Sequence, residues 1–406
     1  MSKPLEGIRV LDLTTFVAAP VCARLLGDLG ASVIKVERPD GDGWREFGIS
    51  KNARFSHDEN PVFDIYNSGK RCVALDLKAP EGKEVFWKLM EQADVFVTNT
   101  RPDALRRLGF DYETVKDRCP RLIYAMVLGY GLQGPDAGKP AFDTTAFWTR
   151  SGFLRDMAPV TSDYMPVFAP YGVGDTVTGL SLMGQVCAAL IGRSRTGKGD
   201  YIEACLYHTG IFTMGSMEIM DQKPWGTCHP VSREDYGAPG GCYQCADGEW
   251  VLLAGMGLNS AWNKAARMFG RPELLEDARF ADGSLRREHA RELYHICKEE
   301  FLKHPHKVWL EKAVEFDIPL VVMNHFSDVT TDEQAWANGY LEHMQCRSGE
   351  TLVMPRSPIH MQSVGELKTT PAPRVGTHTR EVLMELGYSE EELNRLKSAG
   401  IIAEDE

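Results

Sequence analysis

The chain has 406 residues, 43% of them apolar and 25% charged, with a formal net charge of −12. That length suits two or more domains, and the acidic balance argues against a nucleic-acid or anionic-membrane partner. No run reaches the ~18 consecutive apolar residues that a membrane span needs. The opening Met-Ser-Lys-Pro-Leu-Glu-Gly lacks an apolar signal core, so the expectation is a cytoplasmic protein with no membrane attachment. The ten cysteines are scattered without framework spacing and read as reduced thiols.

Residues 8–13 read as a strand, Pro20 to Leu29 as a helix stopped by Gly30, and Ser32 to Glu37 as a second strand. This β-α-β unit implies parallel strands, yet no G-x-G-x-x-G follows the first strand, so a dinucleotide fingerprint is missing. Residues 39–69 read as loop. Arg71 to Leu77 and Asp94 to Val97 read as strands around a helix from Pro80 to Ala93. Tyr112–Cys119 and Leu122–Val127 continue the alternation, which makes the fold α/β. Gly129 to Pro135 is a glycine-rich loop, and Tyr201 to Leu206 a further strand.

Composition changes near residue 222. Lys223 to Thr227 and Tyr236 to Gly241 are breaker segments, Trp250 to Leu253 reads as a strand, and 260–315 as mostly helical. This points to a second, smaller domain. Arg380–Leu386 and Glu390–Ala399 read as closing helices, and the acidic end, Glu404 to Glu406, as frayed.

Several motifs carry little chemistry. Cys242-Tyr-Gln-Cys245 is the one C-x-x-C and has no second pair, so no metal site is expected. His208, His295 and His343 lie in or beside apolar helical stretches and read as core or surface residues. Gly192 to Lys198 resembles a P-loop in spacing only. Gly199 replaces the magnesium-holding Ser or Thr, and the loop leaves a helix to enter a strand. Lys35, Arg38, Arg71, Lys78, Arg101, Arg106, Arg107 and Lys139 gather near the early strands. Ligands of open α/β sheets bind outside the carboxyl ends of the strands, so these cations suit a phosphate-bearing ligand.

Asp175 stands on the turn Tyr171-Gly-Val-Gly-Asp175, ahead of an apolar helix over 176–192. Taken locally it is a helix cap, because an Asp oxygen accepts an orphan amide.

Pro4 to Leu13, Leu26 to Glu37, Lys70 to Leu77, Gly129-Tyr-Gly131 with Gly134-Pro135, and Arg195 to Gly199 resemble the class III CoA-transferases. Ile318-Pro319 and Gly376 to Thr379 extend the resemblance into the C-terminal part. It implies a large Rossmann-like parallel-sheet domain built from 1–222 and 326–406, a smaller α+β domain over 223–325, and an interlocked homodimer. It also makes Asp175 the nucleophile, which forms an aspartyl anhydride and then an aspartyl-CoA thioester. With an ordinary Asp pKa of ~3.9 that carboxylate is ionised at neutral pH and needs no activating base. Gly240 and Gly241 match the glycine loop that covers the aspartate. Val17, Ala18, Arg38, Leu75, Lys78, Asn99, Thr100, Arg107 and Lys139 match the CoA contacts. The ligand is a coenzyme A thioester acting as substrate, with no tightly bound cofactor and no metal.

Thr15 and Val17 replace the His and Gln of formyl-CoA transferases. Phe16 to Pro20, Ala141 to Trp148 and Asp332 to Tyr340 instead resemble the branch containing cinnamoyl-CoA:phenyllactate and 2-hydroxyisocaproate CoA-transferases, which serves amino-acid fermentation. The implied reaction moves CoA between an enoyl- or acyl-CoA and an (R)-2-hydroxy acid. Phe16, Phe147 and Trp148 are either the lining of an apolar acyl pocket or core aromatics. The alternatives are an α-methylacyl-CoA racemase, which needs a His/Asp pair, or transfer to a carnitine-, formate- or succinate-type acid.

Overall fold

The structure, a computed structural model, describes residues 2–48, 53–157, 169–223, 226, 229, 231–235, 237–256 and 259–405. The chain divides into two compact units. The first comprises Met1–Ser151, Ala169–Gly215 and Glu333–Glu406; the second comprises Gly152–Phe168 and Ser216–Asp332.

The first unit runs β1 (Arg9–Leu13), α1 (Ala18–Asp28), β2 (Ser32–Glu37), α2 (Pro61–Asn67), β3 (Arg71–Leu75), α3 (Pro80–Gln92) and β4 (Val95–Thr98). It continues with α4 (Pro102–Leu108), α5 (Tyr112–Arg118), β5 (Ile123–Leu128) and a π-helical turn, Asp143–Thr149. After α6 (Phe153–Asp156), which belongs to the second unit, come α7 (Val173–Thr196), β6 (Asp200–Cys205) and α8 (Leu206–Met220).

In the second unit β7 (Gly241–Gln244) and β8 (Trp250–Leu253) precede α9 (Asn259–Met268), α10 (Gly283–Glu288), α11 (Ala290–Phe301), α12 (His306–Glu315), β9 (Leu320–Val322) and α13 (Phe326–Val329). The chain then returns to the first unit through α14 (Glu333–Ala337), β10 (Leu341–Gln345), β11 (Thr351–Pro355), α15 (Thr379–Glu385), α16 (Glu390–Ser398) and β12 (Ile402–Ala403).

The main sheet has seven strands in the order β12-β3-β2-β1-β4-β5-β6. All pairs are parallel except β12 on β3, where Ile402 faces Leu75. All six residues of β5 are buried. A strand covered by helices on both faces reads as a continuous apolar run for that reason. One face packs a core of Phe86, Leu89, Phe96, Phe110, Tyr124, Val382 and Leu396, from α3, α5's surroundings, α15 and α16. On the other lie α1, almost wholly buried, and α7, which packs along it.

α7 extends past the expected end at Gly192 to a left-handed cap at Gly197. Arg193 ties it to the sheet, pairing with Asp94 at 2.9 Å and donating to the Asp94 and Arg121 carbonyls. Among the described residues α7 is the one helix long and apolar enough to cross a membrane, and only 28% of its most apolar window is buried.

The second unit packs the antiparallel sheet β7-β8-β9 against α9, α11 and α12. Its core holds Tyr243, Trp262, Phe280, Leu293, Phe301 and Trp309.

Three local expectations change. Residues 39–69 are not all loop, since Asn60 caps α2 by accepting from the Val62 and Phe63 amides, with Pro61 in the first turn. α4, which the sequence did not suggest, also has a proline, Pro102, in its first turn but no side-chain cap. Glu404 is not frayed, because β12 anchors the segment and Glu404 pairs with Arg380 at 3.0 Å and Lys397 at 3.1 Å.

Candidate active site

The strand order reverses between β1 and β4. From β1 the chain steps outward through β2 and β3, and from β4 through β5 and β6. At such a switch point the loops leave in opposite directions and open a crevice outside the carboxyl ends. Thr15 and Phe16 follow β1, while Asn99, Thr100 and Arg101 follow β4. The two loops are bonded to each other: Asn99 Nδ2 donates to the Thr15 carbonyl at 2.7 Å, and the Thr15 amide donates to Asn99 Oδ1 at 3.0 Å. Between them opens a cavity of about 720 Å³, closed by Gly129 after β5 and by the Tyr171–Asp175 turn.

A buried charge network sets the β1 loop. Lys35, on β2, donates from Nζ to the Thr14 carbonyl at 2.8 Å and to Asp42 Oδ2 at 3.0 Å. Burial pulls its pKa down, but Asp42, Asp12 and Glu37 outweigh burial and raise it. Asp42 Oδ1 accepts the Phe16 and Trp44 amides at 3.3 and 3.0 Å. Phe16 thereby holds φ +64°, a conformation that a bulky residue adopts only when its surroundings impose it. Its ring meets Trp44 edge-on at 6.0 Å and Phe142 at 5.6 Å; Trp44 stacks on Phe47 at 3.9 Å, and Phe47 meets Tyr171 at 5.8 Å. These rings form one aromatic wall of the cavity. A second buried pair, Lys70–Asp12 at 2.8 Å, fixes the carboxyl end of β1, with Lys70 also donating to Asn67 and the Pro20 carbonyl.

Asp175 is the third residue of α7, not its cap. The cap position is Gly172, whose φ of +81° a side chain would oppose. Its amide donates to Asp143 Oδ2 at 2.7 Å, so the capping carboxylate comes from the π-helical turn. Gly174 is there for space: a β-carbon would stand 2.3 Å from Phe147 Cγ and 2.5 Å from Asp143 Oδ1. The turn is thus pressed against that π helix, with Asp175 lining the cavity.

The charge state of Asp175 departs from expectation. Burial, and after it the charge of Asp143, pushes its pKa up to about 7. The ordinary value of ~3.9 omits this environment, which outweighs the pull of the helix amides. Tyr66 of α2 lies on the same turn and bonds Thr176; burial, then the Asp175 charge, raises its pKa.

The expected CoA contacts are dispersed. Ala18, Asn99 and Thr100 line the cavity; Val17 is buried at the start of α1. Leu75 is wholly buried in the core of the main sheet. Arg38, Lys78, Arg107 and Lys139 are exposed; Arg38 pairs with Asp40 at 3.0 Å and Lys139 with Asp136. Arg101 lines the cavity. Arg71 opens β3 at the opposite end of the strand and pairs with Glu381 and Glu385, and Lys35 is a buried structural cation, so neither is free for phosphate. Phe147 and Trp148 are buried core residues, whereas Phe16 lines the cavity. Gly240 and Gly241 belong to the second unit, where Gly241 opens β7 opposite Leu253. The nine described cysteines, Cys242 and Cys245 among them, are free thiols.

Sequence reasoning missed Lys35–Asp42, Trp44 and Asp143. Asp42 stood in a run that read only as turn, and Asp143 meets Gly172 across 29 residues. No local periodicity reports such a contact.

Comparison with known proteins places the chain in a family. The chain matches the family described as CoA-transferase family III over residues 5–379. It is 39% identical to the (R)-2-hydroxy-4-methylpentanoate CoA-transferase of Clostridioides difficile, over 98% of this chain and 99% of that one. It is 32% identical to the cinnamoyl-CoA:phenyllactate CoA-transferase of Clostridium sporogenes, over 97% and 95%. A CAIB/BAIF family protein from Brucella suis superposes with a TM-score of 0.80 at 28% identity, covering 95% of this chain and 100% of that one. The chain belongs to CoA-transferase family III, and it is an enzyme of the CoA-transferase type. Its relatives include the hydroxy-acid branch that the Phe16 and Asp143 segments suggested.

Proposed function

We propose that the enzyme moves CoA between an enoyl- or acyl-CoA and an (R)-2-hydroxy acid with an apolar side chain, using Asp175 as nucleophile. The observation that carries this is that Asp175 lines the switch-point cavity together with the aromatic rings of Phe16 and Trp44. The hydroxy-acid relatives support the substrate class.

In this reading Asp175 first loses its proton to water. Its carboxylate attacks the thioester carbon and expels CoA thiolate, giving an acyl-aspartyl anhydride. The thiolate attacks the aspartyl carbonyl, releasing the donor acid and leaving an aspartyl-CoA thioester. The acceptor carboxylate reverses both steps and restores Asp175. Each step exchanges one leaving group at a carbonyl, so the sequence has no net redox change. Arg101, Asn99 and Thr100, which line the cavity, suit the CoA moiety.

The functional unit is proposed to be a homodimer. The outward apolar residues Leu180, Ile191 and Phe212 of α7 and α8 favour a second copy as their cover. The racemase alternative needs an acid-base histidine, and the described residues lining the cavity include none.

The test is Asp175→Ala, assayed with a panel of acceptor acids against one acyl-CoA donor. Loss of CoA transfer by at least ~10³-fold, with no acyl or CoA adduct at residue 175, is expected for a missing nucleophile. Retained turnover overturns the mechanism, and preference for small polar acids overturns the substrate class.

A further inference from the structure

Asp143 has no part in the transfer steps above, yet it holds the turn from which they start. It is 5% exposed and lines the cavity. Its Oδ2 accepts the Gly172 amide at 2.7 Å, and the amides of Gly174 and Asp175 and the Trp148 ring also face it. Its Oδ1 sits 2.5 Å from where a β-carbon of Gly174 would stand. One carboxylate therefore buttresses the turn that carries the other.

We propose that Asp143 is a positioning residue for the transfer reaction: it anchors the Gly172–Asp175 turn and, by its charge, fixes the pH range in which Asp175 is an ionised nucleophile. This rests on the reading of Asp175 as nucleophile. The physical argument is electrostatic. Burial acts first on both carboxyls, and two carboxylates in a partly dry pocket resist ionising together, so the charge that Asp143 takes on adds to burial in holding a proton on Asp175 until the pH rises.

The surroundings leave Asp143 as the charge that matters. Tyr66 faces Asp175 from α2 and stays neutral, since its own pKa is raised. α1 brings Arg24 and Asp28, paired to each other at 2.9 Å. Along α7 Cys187 is likewise raised, and the charges of its last turn, Arg193 and Arg195, lie far along the helix. Arg101 stands on the cavity wall, on the β4 side. Asp200 and Glu203 lie on β6, where Glu203 accepts from Tyr201. Among the described residues, burial and Asp143 are the two influences on the Asp175 proton.

Asp143→Asn removes the charge and keeps an oxygen for the Gly172 amide, although its NH2 then meets the Gly174 and Asp175 amides, so the anchor is weakened but not lost. The experiment follows kcat/KM against pH in Asp143→Asn and Asp143→Ala, together with a ¹³C NMR titration of Asp175, its signal assigned by its loss in Asp175→Asn. In Asp143→Asn the acidic limb and the NMR midpoint both move down by about one pH unit. Asp143→Ala also loses the anchor, and its plateau falls by ~10-fold or more. An unchanged limb and midpoint in Asp143→Asn overturns the proposal. The Asn variant is near-isosteric and decides the matter even where the Ala variant fails to fold. Activity surviving in Asp175→Ala would overturn the nucleophile instead, and the NMR midpoint would still report the coupling.

Discussion

Gly174 and Phe147 are in such close contact that a β-carbon on the glycine would stand 2.3 Å from the ring. Phe147 is a buried core residue that cannot retreat, so any side chain at 174 pushes the turn outward. The first turn of α7 is therefore positioned by the packing of the π helix beside it.

Gly174→Ala is expected to cost about 1–3 kcal/mol through overpacking. Because Asp175 is the next residue, kcat falls by ~10²-fold or more even where the fold survives, as a displacement of about 1 Å at a reacting group does. Thermal denaturation and single-turnover kinetics on the same sample distinguish the two effects. A variant with lowered Tm and unchanged kcat would show that the turn tolerates displacement.

The pH dependence follows from the raised Asp175 pKa. Attack needs the carboxylate, so kcat/KM of the free enzyme falls on the acid side of about pH 7, where an unperturbed aspartate would hold activity to near pH 4. Stability runs the opposite way. A carboxyl whose folded pKa lies above its unfolded one favours the fold most below the unfolded value of 3.8, and that advantage is lost as pH rises to about 7. Asp175→Asn removes the penalty, so its gain in stability over wild type is greater at pH 8 than at pH 4, by roughly 3–4 kcal/mol, and its gain in Tm is greater with it. Equal gains at both pH values would contradict the burial argument.

Lys35→Met leaves Asp42 as an uncompensated buried charge, which costs about 3–5 kcal/mol. The loss reaches the cavity as well, because Asp42 holds the Phe16 and Trp44 amides. KM for acyl-CoA is expected to rise along with the fall in Tm. Asp42→Asn, which keeps an acceptor oxygen but removes its charge, is expected to recover most of the stability in the Lys35→Met background. No recovery in the double variant would show that the pair does not act as a unit.

Much of the first unit was legible because its strands are buried on both faces. Ile123–Leu128 and Val95–Thr98 stand out as apolar runs between helical segments, and parallel topology follows from that alternation. The Asp175 turn was legible through its glycines, but its role came only from likeness to a family. What stayed hidden depended on tertiary contact. The Asp143 anchor on Gly172 and the Lys35–Asp42 pair reach across the fold, and the burial of Leu75 depends on β12, a strand distant in sequence. The raised Asp175 pKa was illegible for the same reason, since burial is a property of the folded neighbourhood.

The antiparallel strand at the edge of the main sheet has a consequence for biosynthesis. β3 is complete early, but the Ile402–Ala403 segment that covers its outer edge emerges from the ribosome roughly 330 residues later, tens of seconds at ~5–20 residues per second. Throughout that interval the nascent chain carries an open strand edge, able to capture a neighbouring chain on the same polysome. Covering the edge thus waits on a segment made long after β3, and the yield of native enzyme depends on how well that edge is shielded during translation.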